Sequence, residues 1–394
     1  MPERFDSKSC FCISECDKSV KQNKFVRFIE LRIPIRACTL RCTYCYITHK
    51  GLFDTTVKPF KYPPKQIRRV LSNKRLGGSA IINMCAEGET LLSREVVELT
   101  RELLEEGHYI MIVTNGTLTN RFEELAALPK ELLDRLFVKF SYHYLQLKER
   151  GLLDKFFNNI RKMRDAGASF TLEVTPHDEL TMYVDELNQR ALEELGAIPH
   201  FTVARDDRYR GRYLPILTQM SRGEYKDFWG RFNSPLFDFK FEIFEQPRRE
   251  FCYAGDWAGV VDIATGTWRQ CYYNASRPVD IFSDTDSPIP FQAIGHHCMS
   301  PHCWNGHTWI GLGCIPGMNA PTYAEMRNRL CRDGSEWLTP TFKELFSGRL
   351  KDTRQEYSLS KKFVTDLKVA PIAMAKKIRR LIAYSNLASS KGTC

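Results

Sequence analysis

Six short apolar runs, alternating with five segments of helical periodicity, fill residues 25–204 and fix what this chain can become. The runs are FVRFIELRIPIRA (25–37), SAIINMC (79–85), YIMIVTNG (109–116), LFVKFSYH (136–143), SFTLEVTP (169–176) and IPHFTVA (198–204). Helical patterns occupy 65–76, 93–107, 119–135, 150–167 and 183–196, with Ser93 as a cap and Gly107 and Gly167 as stops. Short apolar strands alternating with helices imply right-handed βαβ units around a parallel sheet. The expected fold class is α/β: a partial (β/α)6 TIM-like barrel followed by a cysteine-rich domain. Ligands of such a barrel sit at the C-terminal ends of the strands. The loop that begins at Cys38, AEGET, TNG and SYH all fall there.

Past residue 205 the pattern changes. RDDRYRGR (205–212) is dense in charge, 251–320 is rich in Gly, Pro, Cys and aromatics, and 361–388 reads as a basic helix. The expected organisation is a cysteine-containing extension (1–24), the barrel core (25–215), a connector (216–250), the cysteine-rich domain (251–335) and a helical tail (336–394). No apolar run reaches the length of about 18 residues that spans a bilayer. MPERFDSKSC offers no hydrophobic stretch for a secretory signal. A cytoplasmic location is expected, where disulfides are rare and clustered thiols point to metal or catalysis. The tail resembles an amphipathic helix of the kind that attaches to membrane surfaces, with packing against the barrel as the default.

Fourteen cysteines fall into an N-terminal group and a group after residue 250. Cys38, Cys42 and Cys45 form C-x3-C-x2-C directly after the first strand. Three thiolates in one loop are soft ligands suited to iron–sulfur, and on a four-iron cluster they leave one iron open, as a catalytic metal site requires. A zinc loop with a remote fourth ligand and a set of buried free thiols are the plainer alternatives.

With Tyr44 just before the last cysteine, the loop resembles the C-x3-C-x-aromatic-C signature of the radical SAM superfamily, a resemblance that covers 25 to about 204. It implies a [4Fe–4S] cluster on Cys38, Cys42 and Cys45 whose open iron takes the amino and carboxylate groups of S-adenosylmethionine. Reductive cleavage of that cofactor to a 5′-deoxyadenosyl radical, abstraction of hydrogen from an unactivated C–H bond and a flavodoxin- or ferredoxin-type electron donor follow from the same resemblance. Glu87-Gly88-Glu89-Thr90 resembles the family's G-G-E-P motif, departing from it at Glu87 and Thr90. Gly88 is expected to permit close backbone approach, and Glu89 to accept hydrogen bonds from the cofactor's ammonium. Thr114 and Asn115 resemble the strand-end segment beside the cofactor, and Ser141 stands where the family often holds the ribose. His143 is expected near the substrate, and Cys85, at a strand end, is a candidate hydrogen donor to a substrate radical.

Cys252-x13-Gly266-x4-Cys271 resembles an element of the SPASM and twitch domains, in which a hairpin with a glycine turn brings two distant thiols together. With Cys298 and Cys303, and with Cys314 or Cys331 as possible replacements, it implies a probable auxiliary [4Fe–4S] cluster; structural zinc is the alternative. The full SPASM run of cysteines is absent. Cys10, Cys12 and Cys16 fit no strong template.

The expected activity is that of a radical SAM oxidoreductase or isomerase which dehydrogenates or epimerises a small, sugar-type substrate. Maturation of a ribosomal peptide or protein side chain is the alternative; the 37 residues before Cys38 look too few for a separate leader-binding domain. A non-catalytic iron–sulfur or zinc protein is a further alternative. The net charge of +10, from 57 Lys and Arg against 47 Asp and Glu, and the run Arg205, Arg208, Arg210 and Arg212 suggest an anionic substrate. No recognisable RNA-binding module supports a nucleic-acid partner.

Overall fold

The computed structural model describes residues 24–208, 215–272 and 277–389. Cys10, Cys12, Cys16, Arg210, Arg212 and Cys394 lie outside the described residues. Six parallel strands follow one another across the sheet: β1 (Arg27–Ile33), β2 (Ala80–Ala86), β3 (Tyr109–Thr114), β4 (Leu136–Ser141), β5 (Ser169–Val174) and β6 (His200–Phe201). This is the α/β, parallel-rich arrangement expected. β7 (Ala258–Asp262) then pairs in parallel with the free edge of β1, Phe28 opposite Ala258 and Arg32 opposite Asp262. β8 (Thr267–Arg269) and β9 (Val279–Asp280) continue the same sheet antiparallel. The hairpin anticipated around Gly266 is therefore β7–β8, with Gly266 at φ +74° in its turn. It is built onto the barrel edge rather than standing apart from it.

Strand periodicity divides the molecule into two cores. Ile29, Leu31, Ile82, Met84, Ile110, Ile112, Val138 and Phe140 point outward and pack beneath the helices. The helix Glu95–Glu105 answers them with Val96, Val97, Leu99, Leu103 and Leu104, the one-face spacing of an amphipathic helix. Inward, at the N-terminal end of the barrel, Phe28, Ile81, Met111 and Phe137 join Trp309, Tyr323, Phe342 and Phe346. Phe137 meets Phe346 edge to face at 5.1 Å. Burying each such ring contributes about 1.5–3 kcal/mol, so Phe137→Ala is expected to cost about 3–5 kcal/mol. Higher along the same strands the inward residues turn polar: Glu30 and Arg32 on β1, Asn83 and Cys85 on β2, Lys139 and Ser141 on β4, Glu173 on β5. One end of the barrel is a sealed apolar plug; the other is a polar chamber.

Two expected helices are shorter than their patterns. The 119–135 pattern breaks into Thr119–Ala126 and Lys130–Leu133 at Pro129. Proline cannot donate its amide to the preceding turn, and Leu128 before it is pushed toward extended backbone. The 65–76 pattern likewise divides into Pro64–Val70 and Asn73–Leu76.

Candidate active site

The first cysteine loop leaves β1 through Ile33–Ala37 and is held from two sides. Gly88 donates its amide to Ile35 O at 2.8 Å, and Glu89 donates to Ala37 O at 2.9 Å. A Cβ on Gly88 would stand 2.0 Å from the Ala37 carbonyl oxygen, so only glycine lets the β2 end lie against the residue before Cys38. The close approach expected of Gly88 is thus to the cysteine loop. On the other side Asn115 Nδ2 donates to Thr39 Oγ1 at 2.9 Å and lies 3.6 Å from Cys38 Sγ. Thr117 and Thr39 hydroxyls close the ring at 2.8 Å.

Cys38, Cys42 and Cys45 edge a cavity of about 380 Å³ that runs over the C-terminal ends of the strands. Tyr44, Gly88, Glu89, Thr114, Asn115, Ser141 and His143 line it as well. Burial drives the three thiols upward, Cys42 to about 12, so a metal or cluster bound here would displace protons. Among the described residues no group of three or more His, Cys, Asp or Glu side chains is arranged to hold a single metal ion. Three soft donors edging one cavity, Cys42 buried and Cys38 and Cys45 half-buried, fit a cluster held by three ligands.

Glu89 is buried, and its charge is held by three donors. Oε1 accepts from Leu91 N at 2.9 Å and Thr114 Oγ1 at 2.7 Å; Oε2 accepts from Asn115 N at 2.7 Å. Burial nonetheless raises its pKa. One lone pair of Oε2 has no partner among these, and the side chain faces the cavity, so Glu89 can take one more donor. Thr114 acts by holding Glu89, and Asn115 by holding both Glu89 and the cysteine loop.

Tyr44 is clamped between two histidines. Its hydroxyl lies 2.5 Å from His143 Nδ1, and its ring is 4.3 Å from that of His177. Burial lowers His143 to about 4, so it is neutral and anchors the loop through Tyr44. Cys85 faces a second, adjoining cavity of about 380 Å³. Tyr46, Ala86, Glu87, Val113, Lys139 and Arg205 are common to both. Burial pushes the Cys85 thiol to about 12, which keeps its proton on sulfur. Glu30, Asn83, Tyr272, Asn305 and His307 complete that second cavity.

The second cysteine group gathers five thiols. Cys252 shares a side-chain hydrogen bond with Cys314, and Cys314 is within electrostatic reach of Cys303 and Cys271. Cys303 in turn feels Cys271, Cys252 and Cys298. Cys271 directly follows β8 and Cys298 and Cys303 sit in the loop before the helix Gly306–Trp309. Cys314 therefore joins this group. Cys331 does not: its thiol donates to Leu195 O at 3.2 Å, packed against Gly196 on the far side of the barrel. The expectation that Cys331 might replace a ligand is corrected by that position.

Of the four arginines that suggest an anionic substrate, the two among the described residues pair with neighbouring aspartates. Arg208 is paired with Asp206 through Nε and Nη2, both at 2.9 Å, and Arg205 Nε with Asp207 at 3.0 Å. Their charges are already answered. The sequence reading passed over the chamber's own charges. Lys139 lies 3.2 Å and Arg327 2.5 Å from Glu173, and Lys240 faces the first cavity. A lysine or glutamate in the middle of an apolar strand run, as in LFVKFS and SFTLEV, was the available signal.

Residues 33–183 match the family model of the radical SAM superfamily. No curated protein matches the chain. Among solved structures, Streptococcus suis SuiB bound to S-adenosylmethionine is similar at 16% identity and a TM-score of 0.46, over 66% of this chain and 64% of that one. Native anSMEcpe with bound AdoMet is similar at 18% identity and 0.46, over 66% and 79%. BtrN in complex with AdoMet and 2-DOIA is similar at 14% identity and 0.28, over 69% and 78%. The chain thus spans less than two thirds of SuiB. Among the described residues no helix is long and apolar enough to cross a membrane.

Proposed function

We propose that this chain is a radical SAM enzyme, an oxidoreductase or isomerase of the cytoplasm acting on a small substrate. The observation that carries the reading is the meeting of Cys38, Cys42, Cys45, Glu89, Asn115 and Ser141 around one cavity at the strand ends, inside the segment that matches the superfamily. Cys38, Cys42 and Cys45 would hold a [4Fe–4S] cluster. With S-adenosylmethionine bound, that cluster supplies reductive cleavage of the sulfonium and a radical able to abstract hydrogen. Glu89 receives the cofactor's ammonium on its remaining lone pair, and Ser141 hydrogen-bonds the ribose. Asn115 and Gly88 keep the cysteine loop against the strand ends, and His143 keeps Tyr44 in place beneath it. Cys85, protonated and facing the adjoining cavity, is positioned to return a hydrogen atom to a substrate radical, the step an epimerisation needs. Cys252, Cys271, Cys298, Cys303 and Cys314 are the candidate ligands for an auxiliary [4Fe–4S] cluster. An external one-electron donor of the flavodoxin or ferredoxin kind completes the cycle.

The test is release of 5′-deoxyadenosine from the full chain, reconstituted without oxygen with iron and sulfide and then given dithionite and S-adenosylmethionine. Release by the native chain and none by Cys42→Ala supports the reading. No release by a native chain that has taken up its iron overturns it.

A further inference from the structure

One buried cation of the chamber, Lys240, stands without a carboxylate of its own. Lys139, Lys240 and Arg327 converge on a single acid, Glu173. Glu173 Oε2 is taken by Lys139 at 3.2 Å and Arg327 at 2.5 Å. Lys240 comes from the helix Pro235–Ile243, whose buried residues are otherwise apolar: Leu236, Phe237, Phe239, Phe241 and Ile243. Its ammonium donates to the Thr202 hydroxyl, and among the described residues no carboxylate lies within ion-pair distance of it. Burial among these cations pushes it down to about 7, the mark of a charge waiting for a counter-ion. The other acids lining the two cavities are engaged elsewhere: Glu30 accepts from Asn83 at 2.9 Å and Asn305 at 3.3 Å, Glu89 from Leu91, Thr114 and Asn115, while Glu87 pairs with Arg32 at 2.8 Å and Asp207 with Arg205 at 3.0 Å. A buried ammonium without an ionic partner is costly, and an anion seated beside it relieves that cost.

We propose that Lys240 and Lys139 seat an anionic group of the substrate, a carboxylate or a phosphate. Lys139 borders both cavities, so an anion held there leaves the rest of the molecule lying toward Cys85. The inference rests on the radical SAM reading: in that reading the cofactor's own carboxylate is taken by the open iron, so the lysines serve a second molecule. A phosphate ester and a carboxylic acid present the same chemistry to two ammonium groups, and the probes below separate them.

The experiment is calorimetric titration of the anaerobically reconstituted full chain, already saturated with S-adenosylmethionine, with inorganic phosphate and separately with acetate at fixed ionic strength. The native chain is expected to bind one of the two anions at one site, and whichever binds more tightly names the group. Lys240→Met and Lys139→Met are each expected to weaken it tenfold or more, while Lys240→Arg retains it; a thermal melt of each variant checks that it is folded. No anion binding by the cofactor-loaded native chain overturns the proposal. So does binding that Lys240→Met and Lys139→Met leave unchanged, or competition between the anion and S-adenosylmethionine, which would assign the lysines to the cofactor. Should the native chain fail to bind S-adenosylmethionine at all, the radical SAM reading falls separately, and the anion titration on the unloaded chain still reports on the lysines.

Discussion

The two cysteine groups are equal in chemistry and opposite in setting. Cys38, Cys42 and Cys45 lie within eight residues of sequence, edge an open cavity, and are fixed by polar contacts from Asn115, Gly88 and Glu89. Cys252, Cys271, Cys298, Cys303 and Cys314 are spread over more than sixty residues and packed with Tyr253, Trp309 and Ile310 in the inner apolar core. A short loop can leave a coordination position facing a ligand, because its backbone closes only one side of the metal. A set gathered from four chain segments would enclose a metal on every side. That contrast is the one between an open metal site and a closed one, and in the proposed function the first group takes the open role and the second the supporting one.

Variants break the comparison in order of expected size. Cys42→Ala is expected to abolish 5′-deoxyadenosine release while sparing the iron of the second group, read by metal analysis beside the activity. Gly88→Ala drives a methyl into the Ala37 carbonyl and is expected to displace the cysteine loop; iron at the first group should fall with little change in the second. Cys314→Ala is expected to remove iron from the second group, and Cys331→Ala to leave it intact; equal losses would erase the distinction drawn from their positions. Asn115→Ala removes the side-chain contacts to Thr39 and Cys38 but keeps the backbone amide that Glu89 accepts, and is expected to weaken cluster binding or turnover by about 10–100-fold. The smallest effect lies far from both groups. His108 is buried with its ring between Ala80 N and Leu71 O, and burial lowers it to about 4. The unfolded chain takes up that proton below about pH 6.5 and the folded one does not, so stability falls as pH drops from about 6.5 toward 4. The loss is roughly 2 kcal/mol at pH 5, measurable by denaturation of the native chain against His108→Gln.

Much of this architecture was written in local pattern. Largely apolar runs such as YIMIVT and AIINM belong to strands buried on both faces, and stops at Gly107 and Gly167 follow from their left-handed backbone, at φ +98° and +100°. The first site was legible because its ligands and their spacing are local: one loop after one strand. The glycine turn at Gly266 was legible for the same reason. What escaped was set by contacts between distant segments. Cys314, in the sequence GLGCIPG, carries no spacing that distinguishes it from Cys331; only the fold puts one beside Cys252 and the other beside Gly196. Arg327, Lys240 and Glu173 come from three elements and meet only when the sheet closes. Charge is conspicuous in sequence at Arg205 and Arg208, while Asp207 and Asp206 beside them answer it in space. Gly88 was read for its freedom of approach, yet its partner, Ala37, lies fifty residues away.

The central claim is that the first group holds a cluster with one iron open to S-adenosylmethionine. The direct measurement is the electron paramagnetic resonance spectrum of the dithionite-reduced, reconstituted chain with and without that cofactor, in the native protein and in a variant with Cys38, Cys42 and Cys45 all replaced by alanine. The account predicts a reduced-cluster signal that shifts on adding the cofactor to the native chain, and no cofactor-dependent shift in the variant. A native spectrum indifferent to the cofactor, or a shift that survives loss of all three cysteines, would contradict it.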